Sequence, residues 1–180
     1  VGLESGWAHA CRTWSDALRL LRDRIGAAGV LVVSNGVVAN NTHRRLDPAE
    51  FRGFALVDEY APLIFINGAD FVAAQMFTLV HELVHVWVGR GGVSNFEAMQ
   101  PLPHRVERFC NAVAAEVLVP AVELRDFWEQ LRPGDEAVTA VARKFKVSTI
   151  VAARRALDLD LVSRDEFFAF HQAWQESEHN

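Results

Sequence analysis

Two histidines and a glutamate form the pattern in this chain that most directly suggests a reaction. His81-Glu82-x-x-His85 lies in a segment, Asp70 to Gly89, that the sequence predicts to be one helix, with Asp70 capping its start and Gly89 closing its end. Residues four apart in a helix stand one turn apart on the same face, so His81 and His85 present two imidazoles to one point. Glu82 is roughly 100° further round, where it can reach a water at that point. The motif therefore predicts two zinc ligands and a general base.

The same pattern also occurs by chance on an ordinary polar helix face. The residues around this motif distinguish that case from a metal site. They are Phe77, Leu79, Val80, Leu83, Val84, Val86 and Trp87. A helix that is apolar almost all round is expected to be buried, and two histidines and a glutamate in a buried helix need partners. Since a metal supplies such partners, the flanking sequence favours the zinc site.

The helix predicted after Pro103 offers the third ligand that a catalytic zinc site needs. Glu107 and Asn111 are four apart and share a face. Glu107 can therefore bind the metal, while Asn111 can hold a ligand histidine by its free ring nitrogen. Glu116 is about half a turn away on the opposite face, where we expect it to be solvated or paired with an arginine. Glu97, in the loop before this helix, is a weaker candidate.

The two cysteines, Cys11 and Cys110, suggest a reducing compartment and no disulfide framework. Cys110 lies in the apolar helix beside the predicted site. It could be a metal ligand, but a buried core thiol is the interpretation that the sequence favours.

Three blocks of the sequence together resemble the ImmA/IrrE metallopeptidases, zinc-dependent proteases of the gluzincin type. The blocks are Ile64–Asn67, Phe77–His85 and the Glu-x-x-x-Asn-x-x-Ala-Ala-Glu-x-Leu-x-Pro pattern of Glu107–Pro120, and the resemblance extends over residues 52–174. It implies that His81, His85 and Glu107 bind zinc and that Glu82 is the base. Val84, Val113 and Val119 stand where glycine, phenylalanine and methionine are common in the family, and all three are apolar packing changes.

The resemblance also suggests where a peptide substrate would bind. The residues Leu63, Ile64, Phe65 and Ile66 are predicted to form a strand just before the zinc helix. In gluzincin folds such a strand is the sheet edge beside the metal, to which an extended peptide adds by backbone hydrogen bonds, although an ordinary core strand fits the sequence equally. Tyr60 and His104 are both candidates to stabilise the oxyanion, and the sequence does not decide between these two residues. For Tyr60, packing is the favoured role.

The rest of the pattern predicts an α+β fold. We expect a small mixed or antiparallel sheet of about three strands, packed against a mostly helical zinc-peptidase core. The predicted strands are Val30–Val33, buried on both faces, Gly53–Val57 and Leu63–Ile66, with one amphipathic helix at Trp7–Arg24 and a polar loop at Asn40–Arg45.

The chain is expected to divide into a zinc metallopeptidase core, residues 1–132, and a C-terminal helical subregion, residues 133–180, packed on that core. In the second part, the helices Glu136–Phe145 and Ser148–Asp158 resemble a helix-turn-helix. Ser163 to Glu166 is a capping box for a last helix.

Composition limits the classes of protein that need to be considered. The chain has 180 residues, of which 51% are hydrophobic and 23% charged, as expected of one globular unit. Its net charge of −5 argues against a general nucleic-acid surface. No stretch is long and apolar enough to span a membrane and no signal peptide is present, so we expect a cytoplasmic protein without a membrane partner.

The predicted function is zinc-dependent peptide hydrolysis. Zinc lowers the pKa of its bound water toward about 7 and stabilises negative charge on the scissile carbonyl. Glu82 takes the proton and later passes it to the leaving amine. The family resemblance implies one specific cut in a helix-turn-helix repressor of a phage, mobile element or stress regulon.

Two alternatives from other classes stay open. One is a DNA-binding regulator that uses residues 134–162 and a structural zinc; the other is a protein-interaction module that has kept the fold and lost turnover. A structural zinc site has four protein ligands, whereas the sequence shows three apparent zinc ligands, and this favours an enzyme. Within residues 134–162 the basic residues, Arg143, Lys144, Lys146, Arg154 and Arg155, are offset by the acids Asp135, Glu136, Asp158 and Asp160. This balance argues against direct DNA binding.

Overall fold

Helices and a small sheet alternate along the chain in a computed structural model that describes residues 2–39, 41–89, 92–94, 105–132 and 136–178. The helices are α1 (Trp7–Ala10), α2 (Trp14–Ala27), α3 (Val72–Val88), α4 (Arg105–Leu118), α5 (Ala121–Glu129), α6 (Ala137–Phe145), α7 (Thr149–Asp158) and α8 (Arg164–Glu178). The strands are β1 (Leu31–Asn35), β2 (Val37–Val38), β3 (Asn41–Arg45), β4 (Gly53–Leu56), β5 (Leu63–Asn67) and β6 (Gly92–Ser94). The predicted α+β class is confirmed.

The main sheet has the strand order β1-β5-β4-β6. Strand β1 pairs with β5 in parallel, whereas β4 is antiparallel to both β5 and β6, so the sheet is mixed as predicted. The three strands expected from the sequence are present, and β6 adds a fourth. This strand was missed because three residues are too few to show an alternating pattern.

The position of two strands in the sheet differs from the prediction. The prediction that Leu63, Ile64, Phe65 and Ile66 form a sheet edge is wrong, because β5 is hydrogen-bonded to β1 on one side and β4 on the other. The prediction that the first strand is buried on both faces is also wrong. Strand β1 is itself an edge, and the side chain of Leu31 at its start is 58% exposed.

Two local predictions near the N-terminus are corrected as well. The single helix expected at Trp7–Arg24 is divided into α1 and α2, because Thr13 and Asp16 form a capping box that starts a new helix. The loop expected at Asn40–Arg45 contains β3, which forms a small exposed hairpin with β2.

Helix α3 is the element around which the core is built. It packs on the sheet through β4 and β5 and contacts α2 and α4 on its other sides. Its side chains Met76, Leu79 and Leu83 are buried together with Ile64 and Ile66 of the sheet. This packing encloses the central turns of α3 on all sides, as its nearly continuous apolar sequence predicts.

The C-terminal helices share the same core. The buried cluster continues from Leu118 and Leu124 to Val141, Phe145 and Ala152 in α6 and α7. Both predicted subregions therefore contribute to one cluster, and a boundary at residue 132 stays a prediction. The two helices of the helix-turn-helix-like segment and the capping box of α8 are confirmed.

Arg155 ties α7 to the end of α4. Its Nε donates to the carbonyl oxygen of Val119 at 3.0 Å, and its guanidinium forms an ion pair with Glu116. The predicted pairing of Glu116 with an arginine is thus confirmed. Among the described residues, no helix is long and apolar enough to cross a membrane.

Candidate metal centre

The helix that carries the histidine motif begins slightly later than predicted. Its first residue is Val72, and Phe71 rather than Asp70 occupies the N-cap position without a side-chain cap. The Asp70 carboxylate instead accepts from the Phe71 amide at 2.8 Å and lies 3.8 Å from Nε of Arg52. Gly89 ends the helix as predicted, with a left-handed backbone at φ 70°.

The side chains of His81, His85 and Glu107 converge on one point between α3 and α4. The two Nε2 atoms of His81 and His85 are 3.0 Å apart. One carboxylate oxygen of Glu107 is 3.2 Å from Nε2 of His81, and the other is 3.3 Å from Nε2 of His85. Donors on a tetrahedral zinc with bonds of about 2.0–2.1 Å are separated by about 3.3 Å. The donor set and its spacing therefore fit a zinc ion.

Asn111 fixes the orientation of the first histidine. Its side-chain oxygen lies 2.8 Å from Nδ1 of His81 and accepts a hydrogen bond there, which places the ring proton on Nδ1 and leaves the Nε2 lone pair directed at the donor cluster. Burial, together with the neighbouring His85, lowers the pKa of His81 to about 3. The imidazole is thus neutral at physiological pH, as a metal ligand must be.

The Glu82 side chain is completely buried between α3 and strand β4. Gly53 makes this close packing possible, because a Cβ there would lie 2.6 Å from Cγ2 of Thr78, 2.8 Å from the Phe65 carbonyl oxygen and 3.6 Å from Cγ of Glu82. The role of Gly53 was missed in the sequence, where its only signal was a glycine at the start of a predicted strand. At Gly53, strand β4 packs close to Glu82, the predicted general base.

Cys110 belongs to the same cluster. Its sulfur and one ring nitrogen each of His81 and His85 all lie within 4.8 Å of one another, and all three side chains are buried. Burial, and then the carboxylates of Glu107 and Glu82, raise the pKa of the Cys110 thiol to about 11. The predicted burial of this thiol is confirmed, and its position beside the histidines is also compatible with the less favoured alternative, a metal ligand.

Tyr60 is not placed beside the donors. Its side chain is 89% exposed, and it precedes Leu63, the end of β5 that pairs with Leu56. The site is at the opposite end of this strand pair, where Ile66 pairs with Gly53. This exposure contradicts the packing role that the sequence favoured for Tyr60, and its alternative role at the oxyanion stays a prediction. His104 and Glu97 are outside the described residues, as is most of the segment between the two ligand helices.

Comparison with known proteins finds a matching family profile. The family profile Peptidase_M78, described as the IrrE N-terminal-like domain, matches residues 25–157, more than half of the chain. The match includes both predicted ligand helices and the helix-turn-helix-like segment. No curated protein matches the chain significantly.

Proposed function

Because the chain belongs to the IrrE N-terminal-like peptidase family, a family of metal-dependent peptidases, we propose that it is a zinc endopeptidase that makes one specific cut in a protein. The observation that carries the proposal is the convergence of His81, His85 and Glu107 at 3.0–3.3 Å, with Glu82 adjacent to His81 on the same helix. Three protein donors leave a fourth position for water, as in catalytic rather than structural zinc sites.

Each residue of the site has a role that follows from its position. Zinc, when bound, makes a water more acidic and stabilises negative charge on the scissile carbonyl oxygen. Glu82 would accept a proton from the attacking water and return it to the leaving amine. Asn111 keeps His81 in the tautomer that presents Nε2 to the metal, and the burial of α3 keeps bulk water away from the reacting groups.

We propose that the substrate backbone binds at the open edge of β6 rather than along β5. Strand β6 pairs with β4 on one side. Ser94 of β6 is opposite Gly53, which packs close to the Glu82 side chain. Its other side has no strand partner among the described residues. An extended peptide added to this edge by main-chain hydrogen bonds would lie closer to Glu82 than one added to β1.

As the substrate we propose a helix-turn-helix repressor, cut in the cytoplasm, as the family resemblance implies. Both cysteines are free thiols, which is compatible with a reducing compartment. A peptidase acting there must be selective, because broad digestion would damage the host's own proteins. We therefore expect a narrow target rather than general proteolysis.

The side chains of the helix-turn-helix-like segment support an enzyme over a DNA-binding regulator. Arg155 and Lys146 are each only 8% exposed, and Arg155 is held by Glu116 and Val119 instead of facing solvent with Arg154. The ammonium group of Lys144 lies over the Phe127 ring, 4.1 Å from its centroid. Since these cations contact the protein, few remain to contact phosphates.

The proposal is tested by incubating the zinc-loaded protein with a candidate helix-turn-helix repressor, chosen from the genes next to its own, and with casein as an unspecific substrate. We expect one cut in the repressor, located by intact-mass spectrometry, little cleavage of casein and no cleavage after chelation. Rapid casein digestion would contradict the narrow specificity. Tight repressor binding without any cleavage would instead favour the interaction module.

A further inference from the structure

We propose that Cys110 is a fourth donor that closes the metal site in the resting protein, so that the enzyme is latent until the thiolate leaves the metal. The inference rests on the proposed zinc site but concerns its regulation. It assigns a function to a buried thiol that the hydrolytic mechanism does not use.

The position of Cys110 on α4 gives it access to the donors. It is three residues after Glu107 and directly before Asn111, the two residues of this helix that contact the histidines. Residues three or four apart lie on one helix face, so the ligand, the thiol and the orienting amide are presented together. The Cys110 side chain is completely buried, and its sulfur is within 4.8 Å of a ring nitrogen of each of the two histidines.

Rotation about one side-chain bond can bring the Cys110 sulfur to metal-binding distance. Zinc binds a thiolate at about 2.3 Å and an imidazole at about 2.0–2.1 Å, so tetrahedral sulfur and nitrogen donors are about 3.6 Å apart. At most about 1.2 Å therefore separates the sulfur from that spacing. Cysteine has one side-chain torsion, and rotation between its staggered positions moves the sulfur further than this while the helix stays in place.

The chemistry of closure needs no other reactant. The S–H bond breaks, a sulfur–metal bond forms, and the proton is released to solvent. A zinc site with four protein donors has no position for a catalytic water. In that closed form Glu82 has no water from which to take a proton. When a bound substrate displaces the sulfur, the sulfur–metal bond breaks, the thiolate takes up a proton from solvent, and the open site is restored.

Cobalt(II) in place of zinc reports this bond directly, because a thiolate on cobalt gives a sulfur-to-metal charge-transfer band in the near ultraviolet. We expect the band in the wild type and in Cys11→Ser, and its loss in Cys110→Ala and Cys110→Ser. Cys11 is the matched control, since its sulfur contacts the backbone oxygen of Trp7. We also expect zinc to bind roughly 10- to 100-fold more weakly to both Cys110 variants.

Absence of the band from wild-type protein that holds one cobalt per chain would overturn the proposal and leave Cys110 as a packing residue. The serine variant keeps the size of the side chain, so a folding defect confined to the alanine variant does not obscure the result. A protein that shows the band but cuts nothing would confirm Cys110 as a metal donor and contradict the proposed function. A protein that cuts its substrate without the band would contradict this inference alone.

Discussion

The side-chain oxygen of Asn111 accepts a hydrogen bond from Nδ1 of His81 at 2.8 Å, and this contact connects the two helices that build the site. It selects one tautomer of a buried imidazole and thereby aims its Nε2 atom at His85 and Glu107. Helix α4 thus supplies both a candidate ligand and the residue that orients a ligand on α3.

Replacement of Asn111 by alanine tests this role. Without the acceptor, His81 can adopt either tautomer and several ring orientations, so we expect zinc affinity to fall roughly 10- to 100-fold. Competition with a chromophoric chelator measures the change. Arg108→Ala, an exposed change on the same helix, is the control and should bind zinc as the wild type does. Equal affinities for both variants would remove Asn111 from the site.

Replacing Glu107 and Glu116 in turn distinguishes a metal ligand from an acidic residue of the same helix that does not bind the metal. Glu107→Ala removes a donor that is 3.2 and 3.3 Å from the two histidines, so the dialysed protein should retain much less than one zinc per chain. Glu116→Ala removes only the partner of Arg155 and should retain the metal. Zinc content is measured by elemental analysis. Loss of zinc from the Glu116 variant alone would reverse the assignment.

The attachment of α7 to α4 is expected to matter for stability. Arg155→Ala leaves the carbonyl oxygen of Val119 without its buried donor and breaks the ion pair with Glu116, which should lower the free energy of unfolding by about 2–4 kcal/mol. Arg154→Ala removes an exposed pair with Asp158 and should cost less than about 1 kcal/mol. Urea denaturation of both variants gives the comparison, and similar losses would refute the argument.

Gly53 is predicted to be required for the close contact between β4 and α3. In Gly53→Ala the new methyl group meets the Phe65 backbone at 2.8 Å, so β4 must move, which should destabilise the protein by about 1–3 kcal/mol and lower kcat by displacing Glu82. Gly26→Ala, where nothing lies within 4 Å, should instead stabilise helix α2 by about 0.5–1 kcal/mol. Thermal unfolding and peptide cleavage are measured for both. Unchanged kcat in the Gly53 variant would separate this glycine from the base.

Much of the site could be predicted from the sequence because its residues lie on two helices. Helical spacing alone places His81 beside His85, and Glu107 beside Asn111, and the apolar flanks indicate burial. What spacing within one helix cannot give is the packing of one element on another. The proximity of Cys110 to both histidines, and of Gly53 to Glu82, depends on how α4 and β4 dock on α3.

The sheet was harder to predict for the same physical reason. Val30–Val33 and Leu63–Ile66 both read as apolar strands, and their order in the sheet depends on pairings between distant segments. The parallel pairing of β1 with β5 places β5 inside the sheet, a long-range choice that an apolar run does not encode. The packing role favoured for Tyr60 was wrong as well, because closeness in sequence to an apolar strand does not show that a side chain is buried.

The most direct test of metal-dependent hydrolysis is the cleavage rate of Glu82→Gln, measured together with its zinc content. Glutamine keeps the shape of the side chain and leaves His81, His85 and Glu107 unchanged, but it cannot accept a proton from water. We predict one zinc per chain, as in the wild type, and loss of repressor cleavage by at least about 100-fold. A zinc-loaded Glu82→Gln protein that cuts the repressor at the wild-type rate would contradict the account.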